Sequence, residues 1–380
     1  MVLPLFKGGQ RSRLAFASLA LALIAAAGTA GAQDQGAAVT APLVPDLLDL
    51  PAAPNPRATQ MLQLALARAG DRLVSVGEGG LILLSDDKGA NWRQARSVPV
   101  SVTLTDVTFA DATTGWAVGH SGTILKTADG GETWQRQMEG NGAAAAVAAE
   151  AAALKAAGAE GADAAVRNAS FLVADGPDKP FLDVTFLDAS RGWVVGAYGL
   201  ALETRDGGAT WQSFTARIPN RGGKHLYGIA PVGQGLVIAG EQGALFQASG
   251  LDDGFVAIES PYEGTFFGLL ALDDGGVLAF GLKGNAWRGA PGLADWQRID
   301  LGAEATVTAG LRLADGSLIL GDEGGRLLRS TDQGASFKPL DTMGDTGLTA
   351  LVAAGDGTLV VAGPRGNSRL DSKSKNREAF

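Results

Sequence analysis

The chain has 380 residues, 46% of them apolar, with 55 glycines, 15 prolines, no cysteine and a formal charge of −9. Its acidic balance lacks the clustered basic face that a phosphate backbone requires, which argues against nucleic acid as a partner. Without cysteine there are no disulfides, so a chain of this length must be held together by buried surface.

Lys7, Arg11 and Arg13 precede an apolar run from Leu14 to Ala27 interrupted only by Ser18, and Ala30-Gly31-Ala32 follows. This is the order of a secretory signal peptide over residues 1–32, with cleavage near Ala32. The apolar run is shorter than the ~20 residues a spanning helix needs. Since residues 1–32 hold three cations and no acid, removing them changes the charge to −12. An exported chain without disulfides fits a periplasm. Residues 33–60 read as a linker, and the strand that closes the fold comes either from its Leu43 to Leu50 segment or from the polar C-terminal tail over 371–380.

From about residue 61 to 370 one pattern recurs: a short apolar run ending in Gly-x-x-Gly. Its first glycines are Gly77, Gly119, Gly196, Gly240, Gly281, Gly321 and Gly363, spaced by 42, 77, 44, 41, 40 and 42 residues. A strand-rich unit of about 40 residues repeated seven times is the signature of propeller blades. The expectation is an all-β, seven-bladed β-propeller. Blade 2 shows the unit best, with Thr105 to Phe109, Trp116 to Val118 and Thr123 to Thr127 as successive strands.

A second motif closes several units. Ser85, Asp87, Gly89 and Trp92 form Ser/Thr-x-Asp-x-Gly-x-x-Trp/Phe. The form returns as Thr127, Asp129, Gly131, Trp134; as Thr204, Asp206, Gly208, Trp211; and as Ser330, Asp332, Gly334, Phe337. The spacing suits a turn in which the aspartate accepts backbone N–H groups, glycine is left-handed and the ring folds over the hairpin. Recurring once per blade, the aspartates lie apart around the ring and are structural rather than catalytic. Blades 4 and 5 keep degenerate copies, Ser249 to Phe255 and Ala290 to Trp296.

The long second spacing holds an insertion over 139–176, in which Ala143 to Ala157 contains eleven alanines and Gly158 and Gly161 precede Ala162 to Ala169. That composition has the highest helix propensity. It predicts one or two short helices between blades 2 and 3, marginal alone and so packed on the propeller or on a partner.

Propeller connectivity places the turns between second and third strands on one face and the Asp motifs on the other. The first face then carries the residues inside the glycine turns: Glu78, His120 with Ser121, Tyr198, Glu241, Gln242, Lys283, Asp322, Glu323 and Arg365. This varied ring around the channel mouth is the candidate partner or ligand surface. Lys224, His225 and Arg221 beside Tyr227 form a small basic cluster suited to an acidic partner.

The octet is the Asp-box or BNR repeat. With the Gly-x-x-Gly hairpins and the Gly-Trp strands at Gly115-Trp116 and Gly192-Trp193, the chain resembles the photosystem II stability and assembly factor family of exported BNR propellers. The resemblance implies a non-enzymatic extracytoplasmic protein, without cofactor or metal, that helps a membrane complex assemble. For bacterial relatives without photosystems it implies association with exporters of the resistance-nodulation-division type.

The competing reading is a sialidase-like glycosidase or a carbohydrate-binding propeller, because Asp boxes occur there too. It needs three arginines, a tyrosine with its glutamate and an aspartate in one site. Arg217-Ile218-Pro219 resembles the arginine motif, and Tyr198 is the tyrosine on the candidate face. His120 and His225 have no metal-ligand spacing, and no catalytic residue is assigned.

Overall fold

Short apolar runs separated by two-residue and glycine turns pair most readily with their neighbours in sequence, and this governs the whole ring. The computed structural model describes residues 45–342, 344 and 346–370. The expected signal peptide, its cleavage site and the polar tail over 371–380 lie outside the described residues. No described helix is long and apolar enough to cross a membrane.

Seven antiparallel sheets follow one another, each in strict sequence order. Blade 1 comprises Gln63–Ala69, Arg72–Gly77, Ile82–Ser85 and Arg93–Gln94. Blade 2 comprises Leu104–Phe109, Gly115–Gly119, Ile124–Thr127 and Gln135–Met138. In blade 3 the strands are Phe181–Phe186, Gly192–Gly196, Ala201–Thr204 and Gln212–Ser213, and in blade 4 Leu226–Val232, Gly235–Gly240, Leu245–Ala248 and Val256–Ala257. Blade 5 has Phe266–Ala271, Val277–Gly281, Ala286–Gly289 and Trp296–Ile299; blade 6 has Val307–Arg312, Leu318–Asp322, Arg326–Ser330 and Lys338–Thr342. Blade 7 keeps Ala350–Ala353, Leu359–Gly363 and Gly366–Arg369. The inner strands touch in a ring, the last against the first.

The core is a set of layers between blades. Trp134 packs in the layer between blades 1 and 2, Trp211 between 2 and 3, and Phe255 between 3 and 4. The degenerate copies in blades 4 and 5 have thus lost the aspartate and kept the ring. Trp296 still donates its indole N–H to Leu293 O, as Trp134 does to Gly131 O.

The aspartates act as the motif predicts. Asp129 accepts from Thr133 N at 2.9 Å and Thr133 Oγ1 at 2.6 Å, while Thr127 Oγ1 accepts from Gly131 N. The four octet glycines have φ between 79° and 89°. One polar position went unread: Asn91, Thr133, Thr210 and Ser336, four residues after the aspartate, give it its second side-chain bond. The carbonyl just after the aspartate also ties blades together. Gly130 O accepts from Arg72, Gly207 O from Lys126 and Trp116, and Gln333 O from Arg288.

Ring closure involves segments outside the strands. Thr349 Oγ1 of blade 7 donates to Gln63 O of blade 1, and the 3₁₀ turn Ala58–Gln60 lies against the third strand of blade 7. The described part of Leu43 to Leu50 forms no strand there. It crosses the first two blades instead, because Leu48 fills their apolar layer and Leu47 O accepts from Ser101 N.

The alanine-rich insertion is two helices, α1 (Gly140–Ala156) and α2 (Ala162–Asp175), both longer than their alanine runs. The Glu139 side chain caps α1 by accepting from Asn141 N and Gly142 N, so the helix starts at Gly140. Ala143, Val147, Ala151 and Ala169 enter the layer between blades 2 and 3. Gly140 N donates to Ser121 O in the blade 2 glycine turn, which puts the helices on the face of those turns.

Candidate interaction face

Pairing register locates each candidate residue. Gln63, Leu104, Phe181, Leu226 and Phe266 oppose the first glycine of their turns, Gly77, Gly119, Gly196, Gly240 and Gly281. In blade 6 Val307 opposes Asp322, one residue after Gly321. Asp322 therefore occupies the first-glycine place, and the blade 6 turn is Asp322-Glu323-Gly324-Gly325. Its carboxylate accepts from Gly324 N, Arg326 N and Arg326 Nε, replacing glycine's freedom with three bonds. Asp322 is buried and belongs to the turn, not to the exposed ring.

Glu78, Glu241 and Glu323 are then equivalent and act alike. Their Oε1 atoms accept from Leu62 N at 3.2 Å, His225 N at 3.0 Å and Thr306 N at 2.8 Å, at each inner-strand entry. These glutamates pin backbone. The next position is left-handed in a row of non-glycine residues: Ser121, Tyr198, Gln242 and Lys283 have φ between 51° and 56°. His120, Gln242, Lys283 and Arg365 are exposed turn tips.

Tyr198 differs from them. It is 60% exposed, its backbone N–H donates to His225 Nδ1 at 3.0 Å, and its ring meets the imidazole edge-on at 4.8 Å. That bond makes Nδ1 the acceptor and leaves the proton of the neutral ring on Nε2. The series continues: His225 meets Tyr227 at 6.4 Å, and Tyr227 meets Phe267 at 5.1 Å. Four rings thus run from the blade 3 turn to the channel mouth. Burial, and next the charge of Glu241, push the Tyr227 phenol up.

Tyr227 and Phe267 reach the channel through a feature the sequence did not reveal. The inner strands carry a one-residue bulge after the glycine contact, at Leu64, Thr105, Leu182, Tyr227, Phe267 and Thr308. Where the bulged residue is threonine it ties blades: Thr105 Oγ1 donates to Phe181 O. These residues line a channel cavity of about 450 Å³, which also holds Asp106 and Asp183. Burial and the neighbouring Asp183 hold the Asp106 carboxyl well above its ordinary range.

Arg191, Arg205 and Arg217 do not assemble the three-arginine arrangement of a sialidase around Tyr198. Arg205 and Arg217 converge on Glu203, and Arg191 and Arg205 on Asp252. All three are committed to acids at the Asp-box end of blades 3 and 4, whereas Tyr198 is at the opposite end of its blade. No group of three acidic, histidine or cysteine side chains able to hold a metal occurs among the described residues.

Fold and face together define a seven-bladed propeller whose glycine turns carry varied side chains on one face and whose Asp motifs serve the scaffold. The family model described as Photosynthesis system II assembly factor YCF48 matches residues 88–162 and 172–259. The chain is a seven-bladed propeller, and over those residues it is similar to photosystem II assembly factors. It is 33% identical over 88 residues to the Photosystem II assembly lipoprotein Ycf48 of Picosynechococcus, covering 22% of this chain and 26% of that protein. It is 37% identical over 76 residues to the chloroplastic Photosystem II stability/assembly factor HCF136 of Cyanidioschyzon merolae, covering 20% and 16%. The matches thus span about a quarter and a sixth of those relatives.

Solved structures share the fold. A YCF48 bound to a D1 peptide superposes with TM-score 0.59 at 15% identity, over 81% of this chain and 92% of that one. YCF48 from Cyanidioschyzon merolae gives 0.59 at 15% identity, over 83% and 96%. A streptogramin B lyase gives 0.61 at 11% identity, over 82% and 94%. Shape alone therefore does not separate binder from enzyme.

Proposed function

We propose that this protein is a non-enzymatic, exported assembly factor that binds a segment of a membrane-protein partner on its glycine-turn face. The observation that carries the reading is the run of four rings from exposed Tyr198 to Phe267 at the channel mouth. Aromatic side chains offer large contact area at low entropic cost, and they dominate binding energy in protein interfaces. The kinship with Ycf48 and HCF136, one named a lipoprotein and one chloroplastic, supports assembly work and export. The peptide bound by a YCF48 of the same fold supports a protein ligand rather than carbohydrate. Catalysis has no support in the geometry, since Arg191, Arg205 and Arg217 are paired with Glu203 and Asp252 at the end of their blades opposite Tyr198.

The test is affinity purification from detergent-solubilised membranes of the source organism. The tagged protein is compared with a His120→Asp/Tyr198→Gly/Arg365→Glu variant and with an Asp-box-face control, Arg96→Glu. The wild type and the control should recover the same membrane complex and the triple variant should lose it. The proteins recovered decide between a photosystem and an exporter of the resistance-nodulation-division type. Recovery of nothing beyond the untagged background would end this reading.

A further inference from the structure

The helical insertion does more than cover the layer between blades 2 and 3. It is fastened at two places. At its base, Gly140 abuts Pro177, where an added Cβ would lie 2.2 Å from Pro177 O. Along α1, Glu150 accepts from Ser213 Oγ at 2.5 Å and from Ala216 N at 3.2 Å in blade 3. Held this way, α2 stands at a fixed height beside the blade 3 turn and encloses a cavity of about 320 Å³ with it.

The wall that α2 contributes is one helical face, Asn168, Phe171, Leu172 and Asp175, at spacings of three and four. Phe171 is 68% exposed and Tyr198 is 60% exposed, and both line the cavity together with Leu172 and Leu200. Exposed aromatic and apolar side chains gathered at one cavity mark a binding surface.

Tyr198 carries a backbone cost, since its φ of 56° is a left-handed conformation that side-chain-bearing residues reach only with strain. Blade 1 has Gly79 at the equivalent place, so the turn does not need tyrosine. Ser121, Gln242 and Lys283 share that conformation, so the large exposed ring, not the backbone, singles out Tyr198. The ring is also preset: His225 holds its backbone, and the Lys179 amine lies 5.5 Å from its centroid.

The charges select the occupant. Lys179 is buried and already paired with Asp175 and Asp178. Arg221, which also lines the cavity, is exposed and has no ion pair among the described residues. Its loop is fixed because Asn220 donates to Lys224 O and accepts from Lys224 N. An unpaired guanidinium carried on that loop beside an apolar pocket suits a carboxylate.

We propose that this cavity seats one bulky apolar side chain of an extended peptide segment from a partner protein, with a flanking aspartate or glutamate of that segment paired to Arg221. The proposal rests on the reading of the glycine-turn face as the partner surface and gives that face its anchor point.

The experiment uses the folded protein, fluorescently labelled, on an array of capped ten-residue peptides. Each has a central Leu, Phe, Trp or Ala flanked by acidic, neutral or basic residues. Peptides with a bulky centre and acidic flanks should give the strongest signal. In solution, Tyr198→Gly should weaken the best of them at least tenfold while leaving the melting temperature close to wild type, because glycine is at ease at that φ. Arg221→Ala should weaken acidic-flanked peptides about tenfold and neutral-flanked ones less than twofold.

Peptides bound equally well by wild type and both variants would overturn this pocket and leave the partner-face reading standing. A preference for basic flanks would overturn the charge assignment. No binding to any peptide, combined with a membrane complex still recovered by wild type in detergent, would overturn the pocket alone. Failure of both experiments would remove the partner face as well.

Discussion

Asp106 and Asp183 bring their carboxyl groups together inside the channel while each holds the backbone of the following blade. Asp106 Oδ2 accepts from Val184 N at 2.9 Å, and Asp183 Oδ2 accepts from Ile229 N at 2.6 Å. Burial raises both, and the charge of Asp183 raises Asp106 further, so the pair retains a proton above the ordinary carboxylate range. A raised folded value contributes stability that is complete below the unfolded value near 4. That stability is lost as pH rises through the folded value, at up to about 1.4 kcal/mol per pH unit. Asp106→Asn keeps a donor for Asp183 and an acceptor for Val184 N–H without titrating. Its melting temperature should therefore fall less than wild type's between pH 5 and pH 8. Parallel curves for the two proteins would show that the pair does not share a proton.

The Asp-box carboxylates carry the opposite sign. Asp206 is lowered to about 2, chiefly because it accepts from the Thr210 hydroxyl and N–H. A lowered folded value gives stability that is present above the unfolded value and lost as pH falls from about 4 toward 2. Asp206→Ala should cost about 1–2 kcal/mol in urea unfolding at pH 7 from the lost hydrogen bonds. At pH 2 the two proteins should converge. A cost that stays constant with pH would mean that the residue acts by shape and not by charge.

The glycine turns make a prediction that the motif alone would get backwards. Asp322→Gly would complete the seven-fold pattern, yet it removes the acceptor for Gly324 N, Arg326 N and Arg326 Nε. It should destabilise the protein by about 2–3 kcal/mol. Gly243→Ala puts a Cβ 2.3 Å from Tyr262 O at a φ of 70° and should cost about 3 kcal/mol. Gly79→Ala, at a φ of 65° with open space, should cost about 1 kcal/mol. Denaturant midpoints of the three variants test this ordering. A stabilised Asp322→Gly would restore Gly321 as the place of the first glycine.

The difference between motif and register marks how far the sequence can be read. Blade number, octets and the inserted helices are legible because each depends on residues close in the chain, and a 40-residue period repeats them. The frame of the sixth turn is not. Gly321 and Asp322 are adjacent, and only the pairing of Val307 shows which opposes the inner strand. The inner-strand bulges are equally hidden, since a bulge is a relation between two strands. Without the bulge, Thr105, Tyr227 and Phe267 look like ordinary alternating positions, so the aromatic run to the channel cannot be seen. Glu78, Glu241 and Glu323 were readable as turn residues but not as braces, because their partners lie 16 or 17 residues away. Tyr198 stands out in the sequence by its place in the turn; its neighbours Phe171 and Arg221 come from elements that only the fold assembles.

The fastening of α1 to blade 3 yields the remaining prediction. The Glu150 carboxylate spans from the helix to Ser213 Oγ and Ala216 N, a bond to each side of the blade 3 exit. Beyond the Gly140 contacts with Ser121 and Pro177, the attachment rests on small side chains such as Ala143, Val147, Ala151 and Ala169, and alanine-rich helices of this length are marginal without support. Glu150→Ala removes the two bonds while leaving every strand-pairing bond in place, and alanine favours the helix itself. The propeller should therefore melt within about 2 °C of wild type, as expected for a change confined to a surface element. Hydrogen exchange should nevertheless speed up about tenfold across residues 140–175 and in the outer strand Gln212–Ser213, the loss of about 1.4 kcal/mol of local protection. Unchanged exchange in the helices would place their support in the apolar layer with Trp116 and Phe181, not in the Glu150 bonds.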